Sequence, residues 1–340
     1  MMNSNLLCPV CGSPPAKNQG ASTRCPRCRQ ADAFCEYFAG QEAWDTWKKQ
    51  TAAAAKKWIQ KSLRGQQANC RLVLGSDHVV FYNREKAKGL KLQQYEEPKL
   101  LRGIRQYSAG KLHSTSINSS NTVTVSGNND YGQCSLHNSK GVSYALAAPR
   151  CTYLITTEGS IKVSGACSDR DTVTGWKNIQ KLVTAGSAPI GLTNEGTLVT
   201  TDTAEAWIQG IAQWNHVADV AAAGYVLALH TDGRVSCAGN DGIRSQTAQW
   251  ENIIAIAADT QYAVGLTAEG KVLLAGQKSF MDMGRSDAAQ WENIIAISAS
   301  PQGGVIGGVS ADGQLHLAGL MIDKEKLCRQ FEETSSDLFI

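Results

Sequence analysis

Four of the eleven cysteines are spaced for one kind of chemistry. Cys8-Pro9-Val10-Cys11-Gly12 is followed, after thirteen intervening residues, by Cys25-Pro26-Arg27-Cys28. Each Cys-x-x-Cys turn aims two thiolates at one point. Two such turns complete a tetrahedral four-thiolate shell around zinc, with sulfur about 2.3 Å from the metal. The spacer is slightly shorter than the roughly 15 to 20 residues of the usual pattern. The alternative is a redox-active dithiol, but that goes with a single Cys-x-x-Cys beside a βαβ pattern, and no such pattern is present. Four thiols leave no open position for water, so the metal expected at Cys8, Cys11, Cys25 and Cys28 is one structural zinc rather than a catalytic one. Cys35 is either a substitute ligand or a packed thiol. A segment this short cannot build a large core, so the metal is expected to hold it together.

The elements around this segment set the domain plan. Residues 1–38 read as a zinc ribbon and 39–65 as an amphipathic helix with its flanks. Within the latter, "QEAWDTWKKQTAAAAKKWIQKSL" has an Ala run that favours helix. It places Trp44, Trp47 and Trp58 within about 60° of one another on a helical wheel, with Lys49, Lys56 and Lys57 opposite. That stripe packs on a neighbouring module or docks in a partner's groove. Residues 1–64 carry ten Lys/Arg and four Asp/Glu, a net +6, while the rest of the chain carries 23 and 26, a net −3. Lys17, Arg24, Arg27 and Arg29 decorate the cysteine turns. A basic head suits an acidic partner, including nucleic acid, although no base-stacking aromatics are interleaved with these charges.

The start "MMNSNLLCPV" shows neither a basic n-region nor a long apolar run, so no secretory signal is read. Apolar runs such as "IIAIAA" at Ile253 are far shorter than a membrane span. Cysteines kept reduced, some on metal, then point to a cytoplasmic protein.

Residues 66–320 carry one pattern written seven times. Apolar strands end at small or short residues: Gly75, Gly110, Ala148, Gly186, Gly224, Asp259 and Ser300, at steps of 35, 38, 38, 38, 35 and 41 residues. In phase with them run acidic-Gly turns at Glu158-Gly159, Glu195-Gly196, Asp232-Gly233, Glu269-Gly270 and Asp312-Gly313. A third series, "WKNI", "WNHV", "WENI" and "WENI", starts at Trp176, Trp214, Trp250 and Trp291. Repeats of this length mean a solenoid, a propeller or an array. In one unit "IIAIAA" reads as a strand buried on both sides and "YAVGLT" as a second. Glu269-Gly270 is the hairpin turn and "KVLLAG" a third strand, with room for a short fourth. Three or four short antiparallel strands per unit make a propeller blade, and counting strand ends gives seven blades. Small residues suit the crowded axis. Ring closure is expected to use a strand from the other end of the repeat region or from 320–340. Residues 321–340 read as a short helix and a frayed tail.

Units such as "WENIIAIAADTQYAVGLTAEGKVLLAG" and "SAGKLHSTSINSSNTVTVSGNNDYGQC" resemble the regulator of chromosome condensation repeats over about three quarters of the chain. The resemblance implies an all-β, seven-bladed propeller, and the short Trp-led units look most like bacterial members, some of which inhibit partner enzymes. The eukaryotic founder exchanges nucleotide on a small GTPase and binds chromatin. This chain departs from it: "GNNDYGQC" lacks the glycine-rich continuation, and no insertion is long enough to act as a wedge in a nucleotide site. No catalytic residue carries over.

Nothing in the repeats assembles a nucleophile, a base and an oxyanion donor. His78 and His113 sit at matching places but their counterparts are Cys151, Pro189 and Tyr262, so they read as structural. Cys134, Cys151, Cys167 and Cys237 read as scattered apolar thiols. The recurrent Trp read as wedges between blades. The expected function is a non-enzymatic scaffold that binds a protein partner through propeller loops, with Tyr131 and Phe280–Met283 as contact candidates and the zinc ribbon as a second module. The alternatives are a regulator of a partner enzyme or small GTPase, and nucleic-acid binding through residues 1–64.

Overall fold

The computed structural model describes residues 104–201, 206–276, 282–300 and 304–319 except 312, with the strands at 6–7, 38–39, 71–74, 78–82, 86–91 and 100–102 and residue 328. The four candidate zinc ligands, Cys35, the 41–63 helix and nearly all of the 321–340 tail lie outside these residues. Strands β1 (Leu6–Leu7) and β2 (Phe38–Ala39) pair antiparallel, Leu6 opposite Ala39. They bracket the segment that carries the four cysteines.

From Arg71 to Gly319 the described chain is a series of antiparallel sheets, each made of consecutive strands. The first has four: β3 (Arg71–Leu74), β4 (His78–Tyr82), β5 (Lys86–Lys91) and β6 (Leu100–Arg102). The others have three. The second holds β7 (Ile104–Ala109), β8 (His113–Asn118) and β9 (Val123–Gly127). The third holds β10 (Val142–Ala147), β11 (Cys151–Thr156) and β12 (Ile161–Gly165). After α1 (Arg170–Gly175) come β13 (Ile179–Ala185), β14 (Ala188–Thr193) and β15 (Leu198–Thr200). After α2 (Ala206–Ile211) come β16 (Val217–Ala222), β17 (Val226–His230) and β18 (Val235–Ala238). After α3 (Asp241–Thr247) come β19 (Ile253–Ala258), β20 (Tyr262–Thr267) and β21 (Val272–Gly276). A 3-10 turn at Arg285–Gln290 leads to β22 (Ile294–Ala299), β23 (Val305–Ser310) and β24 (Leu315–Gly319).

The first strand of each sheet faces a central cavity of about 800 Å³, and the last sheet packs against the first. Two expectations change here. Closure among the described residues is side-to-side packing of β22 and β23 on β3, with no strand borrowed from the far end. The stretch after the third strand, read as room for a fourth, does hold one in the first sheet, β6, but after β12, β15, β18 and β21 it forms α1, α2, α3 and the 3-10 turn instead. Those turns satisfy edge groups that a fourth strand would have paired. Arg170 donates to the carbonyls of Val163 and Gly165 on β12, and Gly276 N–H donates to Gln246 Oε1.

The strand sealed on both sides is the middle one, not the inner one. Every residue of β11, β14, β20 and β23 is buried. "IIAIAA" of β19 is half-buried at Ile254 and Ala255, because an inner strand lines the cavity.

The "W-x-N-I" series has a different reason at each position. Asn178, His216, Asn252 and Asn293 all hold left-handed backbone, φ +54 to +58, as does Gly141 at the same place before β10. Asn is the residue after Gly that tolerates this region best. The aliphatic residue that follows is buried, and the register then slips by one residue, a bulge found at the start of β7, β10, β13, β16, β19 and β22. The Trp wedges are real: Trp250 packs among Tyr225 and Leu227 of one sheet, Ile243 of α3, and Ile253 and Ile256 of the next sheet. It lies over Gly265, where an added Cβ would stand 2.7 Å from its ring; Trp176 lies over Gly191 and Trp291 over Gly308 in the same way.

Candidate partner-binding face

Strand direction sorts the loops onto two faces. The tight turns between middle and outer strands share one face. The loops between inner and middle strands share the other, with the start of each outgoing connection.

The turn face is occupied by the scaffold itself. Each acidic-Gly turn is a short hairpin in which the glycine N–H donates back three residues, as Gly270 to Thr267 O at 3.0 Å, with φ between +77 and +87. The same glycine carbonyl accepts the first amide of the next inner strand: Val217 N–H to Gly196, Ile253 to Gly233, Ile294 to Gly270, all within 3.0 Å. The acids serve the turns. Asp232 Oδ1 accepts from Arg234 N–H, and Glu195 from the Asn178 side chain.

The cavity wall is likewise engaged. Gln106, Tyr144, Lys181 and Asp219 hold the same register position on β7, β10, β13 and β16. Gln106 both donates to Ala145 O and accepts from Ala145 N–H; Tyr144 donates to Leu182 O; Lys181 pairs with Asp219 at 2.5 Å. These polar groups are spent joining neighbouring sheets. The histidines follow suit. His113 begins β8, as His78 begins β4, and it is buried, sharing a 2.7 Å hydrogen bond with Thr152 Oγ1 on the next sheet. Desolvation by burial lowers its pKa to about 4. Among the described residues no group of three His, Cys, Asp or Glu could hold a metal.

The loop face is different. Two large apolar side chains are exposed among the described residues, Tyr131 at 42% and Met283 at 49%, and both stand on this face. Sequence reasoning picked both; Phe280 and Met281 lie outside the described residues. Each is held by a polar network. Tyr131 N–H donates to Gln133 Oε1, and the wholly buried Gln133 also donates to Asn128 Oδ1. Cys134 N–H donates to Asn129 Oδ1, and Ser164 Oγ ties Gln133 O to the next sheet. The Arg150 guanidinium lies 4.9 Å from the Tyr131 ring centre. "GNNDYGQC" is therefore a self-bonded pedestal rather than a phosphate loop.

Met283, in left-handed backbone, follows Asp282 and precedes Gly284 and Arg285. Arg285 is 4% exposed and pairs with the fully buried Asp259 at 2.6 Å. It also donates to Gln261 Oε1 and Asp282 O. Asp282 accepts from Ser286 N–H and Oγ. So Asp259, read as a small-residue position at a strand end, is a buried charge that anchors the connection presenting Met283.

The thiols are less scattered than their spacing suggested. Cys151 and Cys237 are buried and Cys134 is half-buried, but Cys167 folds back onto the face of β11 that carries Cys151 and Tyr153. The sequence held one signal: residues 151 and 167 are equidistant from Gly159 at the tip of the hairpin between them.

No protein-family model and no curated protein matches the sequence. Solved structures do match. The ectodomain of the Arabidopsis thaliana receptor kinase ACR4, described as a CRINKLY WD40 domain, aligns with TM-score 0.57 and 14% identity over 75% of this chain and 95% of that one. The ectodomain of receptor kinase CR4 from Physcomitrella patens aligns at 0.54 and 13%, over 74% and 72%. Prp20p from Saccharomyces cerevisiae, solved together with a study of its binding to Gsp1p and histones, aligns at 0.50 and 14%, over 67% and 76%. At such identities the likeness speaks to fold alone. With the succession of antiparallel sheets closing on itself, it makes this chain a β-propeller, the fold it shares with these structures.

Proposed function

We propose that the chain is a non-enzymatic protein-binding scaffold, a seven-bladed propeller whose loop face grips a partner at Tyr131 and Met283. The seven consecutive sheets support the blade number. The observation that carries the binding role is the contrast between faces. One is consumed by blade-to-blade hydrogen bonds, and the other presents exposed apolar anchors on buried, hydrogen-bonded pedestals. Tyr131 is of a residue type enriched at hot spots, and Met283 adds a flexible apolar side chain of the kind over-used at adaptable binding surfaces. The test is affinity capture from the native cell with wild type and the Tyr131→Ala/Met283→Ala double variant. Loss of the captured partner with an unchanged melting temperature is expected. Equal capture by both proteins overturns the assignment of this face.

The residues before the propeller form a second module in this reading. Cys8, Cys11, Cys25 and Cys28 hold one structural zinc, and the basic 1–64 segment contacts an acidic partner, protein or nucleic acid. A cytoplasmic site suits its reduced thiols, and no described helix is long and apolar enough to cross a membrane. The second functional reading is regulation of a partner enzyme or small GTPase, favoured by the fold shared with Prp20p, which was studied with Gsp1p. Nucleotide-release and activity assays on the captured partner separate regulation from passive bridging.

A further inference from the structure

Blade three carries a thiol pair that the partner-binding reading does not use. Cys151 opens the middle strand β11, its Cα opposite Gly165 of β12. Two residues past Gly165, the chain folds over the strand end. The Cys151 thiol donates to Ala166 O at 3.1 Å, and Cys167 Sγ shares a 2.8 Å hydrogen bond with Tyr153 Oη. Tyr153 is two residues from Cys151, on the same face of the strand, so the turn carries the Cys167 thiol onto the side of β11 that holds the Cys151 thiol. The two differ in access: Cys151 is 6% exposed, whereas Cys167 is half-buried. Burial, with the neighbouring Cys167, pushes the Cys151 thiol up to about 12, and the Arg170 cation pulls the other way. Arg170 is fixed there by its bonds to the carbonyls of Val163 and Gly165. A half-buried thiol against a buried one, with a fixed cation alongside, has the layout of an attacking and a resolving cysteine.

We propose that Cys151 and Cys167 form a reversible disulfide in exchange with small-molecule disulfides, clamping the connection after β12 to the end of β11. The Cys167 thiolate attacks one sulfur of the small disulfide. That S–S bond breaks, one thiol leaves with the proton that Cys167 gave up, and a mixed disulfide remains on Cys167. Cys151 then loses its proton and attacks the Cys167 sulfur. The mixed bond breaks, the second small thiol leaves protonated, and the protein bond forms. Two protein thiols are oxidised and one small disulfide is reduced to two thiols. The closed bond spans the ends of a single hairpin, in which strand pairing fixes Cys151 opposite Gly165 and the chain past Gly165 carries Cys167 back over the strand end. Disulfides in a reducing compartment are mostly of this transient, sensing kind.

The test treats the full chain with oxidised glutathione, blocks free thiols and digests with trypsin. Cleavage after Arg150, Lys162 and Arg170 puts Cys151 and Cys167 on adjacent but separate peptides, 151–162 and 163–170. The expected product is those two peptides joined, at a mass lower by two hydrogen atoms, and released by dithiothreitol. The Cys151→Ala variant is expected to stop at glutathione on Cys167. Recovery of both peptides unlinked from the wild type, or glutathione resting on Cys167 with Cys151 present, overturns the proposal. The wild-type digest decides the matter alone if the variant does not fold.

Discussion

Ser298 Oγ accepts a hydrogen bond from the Leu74 amide at 3.1 Å, across 224 residues of chain. Ser108 Oγ accepts from the Ala147 amide at the same distance, 39 residues away. Both serines are the penultimate residue of an inner strand, and both amides belong to the last residue of the next one. The seventh sheet therefore addresses the first as the second addresses the third. Closure is one more copy of an ordinary inter-blade contact. This accounts for the absence, among the described residues, of a strand shared between the chain's two ends.

Removing that hydroxyl tests the contact. Leu74 is only 2% exposed, so Ser298→Ala leaves a buried N–H without a partner, a loss of about 1–3 kcal/mol. Ser108→Ala should lose a similar amount, because Ala147 is 5% exposed. Urea unfolding of both variants reads this directly. A silent Ser298→Ala beside a costly Ser108→Ala means that closure is held elsewhere.

The turn glycines separate two demands that the sequence merges. Gly159 and Gly270 have nearly the same φ, +81 and +79. A Cβ on Gly159 meets nothing within 4 Å, whereas one on Gly270 meets Asn293 Cα and Ile294 N at 3.0 Å. Gly159→Ala should therefore lose only the left-handed backbone penalty, roughly 1–2 kcal/mol. Gly270→Ala should lose more, because the clip to the next inner strand must also open. Equal losses in urea unfolding would show that the clip contributes nothing.

These glycines also show where sequence reading stops. Period, turn and Trp were legible because each demands a residue type: glycine or asparagine at positive φ, and a large ring between sheets. The lateral joints were not. Gln106, Tyr144, Lys181 and Asp219 occupy one register position yet differ in kind. Gln106 and Tyr144 reach a neighbour's backbone, which imposes no partner residue, whereas Lys181 and Asp219 pair with each other. The glycine beneath three of the four Trp was hidden for another reason. Gly191, Gly265 and Gly308 sit in apolar middle strands, where they read as weak strand formers, and only the ring above them explains the missing side chain. Tyr131 and Met283 were picked as exposed residues in loops, but the buried Gln133 and Arg285 that hold them were not. A glutamine in a polar turn and an arginine before a Trp look like solvent-facing residues.

Overpacking measures the wedge. Gly265→Ala drives a methyl to within 2.7 Å of Trp250, and the ring is confined by Tyr225, Leu227 and Ile243. A loss of about 1–3 kcal/mol follows. The middle strand of the preceding sheet has Ala228 at the equivalent position, and its Trp214 is only partly buried. Ala228→Gly should therefore relieve no clash. The pair of variants, compared by thermal melting, should move in the same direction, with Gly265→Ala the larger.

Acid should weaken the fold through His113. Its ordinary pKa of 6.5 falls to about 4 on burial, so between those values the unfolded imidazole takes up a proton that the folded one refuses. The group's contribution is whole above pH 6.5 and is lost as pH falls toward 4, at up to about 1.4 kcal/mol per pH unit. The slope of stability against pH over that window should flatten in His113→Gln, even though that variant starts less stable through its disturbed bond to Thr152. An unchanged slope assigns the acid sensitivity to other groups.

The four cysteines at the start of the chain make the last prediction. β1 and β2 pair, Leu7 opposite Phe38, on either side of the segment that carries the four cysteines. Thirty residues cannot bury enough apolar surface to fold alone, so the proposed metal must supply the stability. Chelation should release one zinc per chain and expose residues 1–40 to protease, while the propeller keeps its melting temperature. Cys25→Ser should lower the metal content of freshly purified protein in the same way. Elemental analysis decides: a full zinc complement in Cys25→Ser, or none in the wild type, removes the metal from the account of this segment and leaves the propeller untouched.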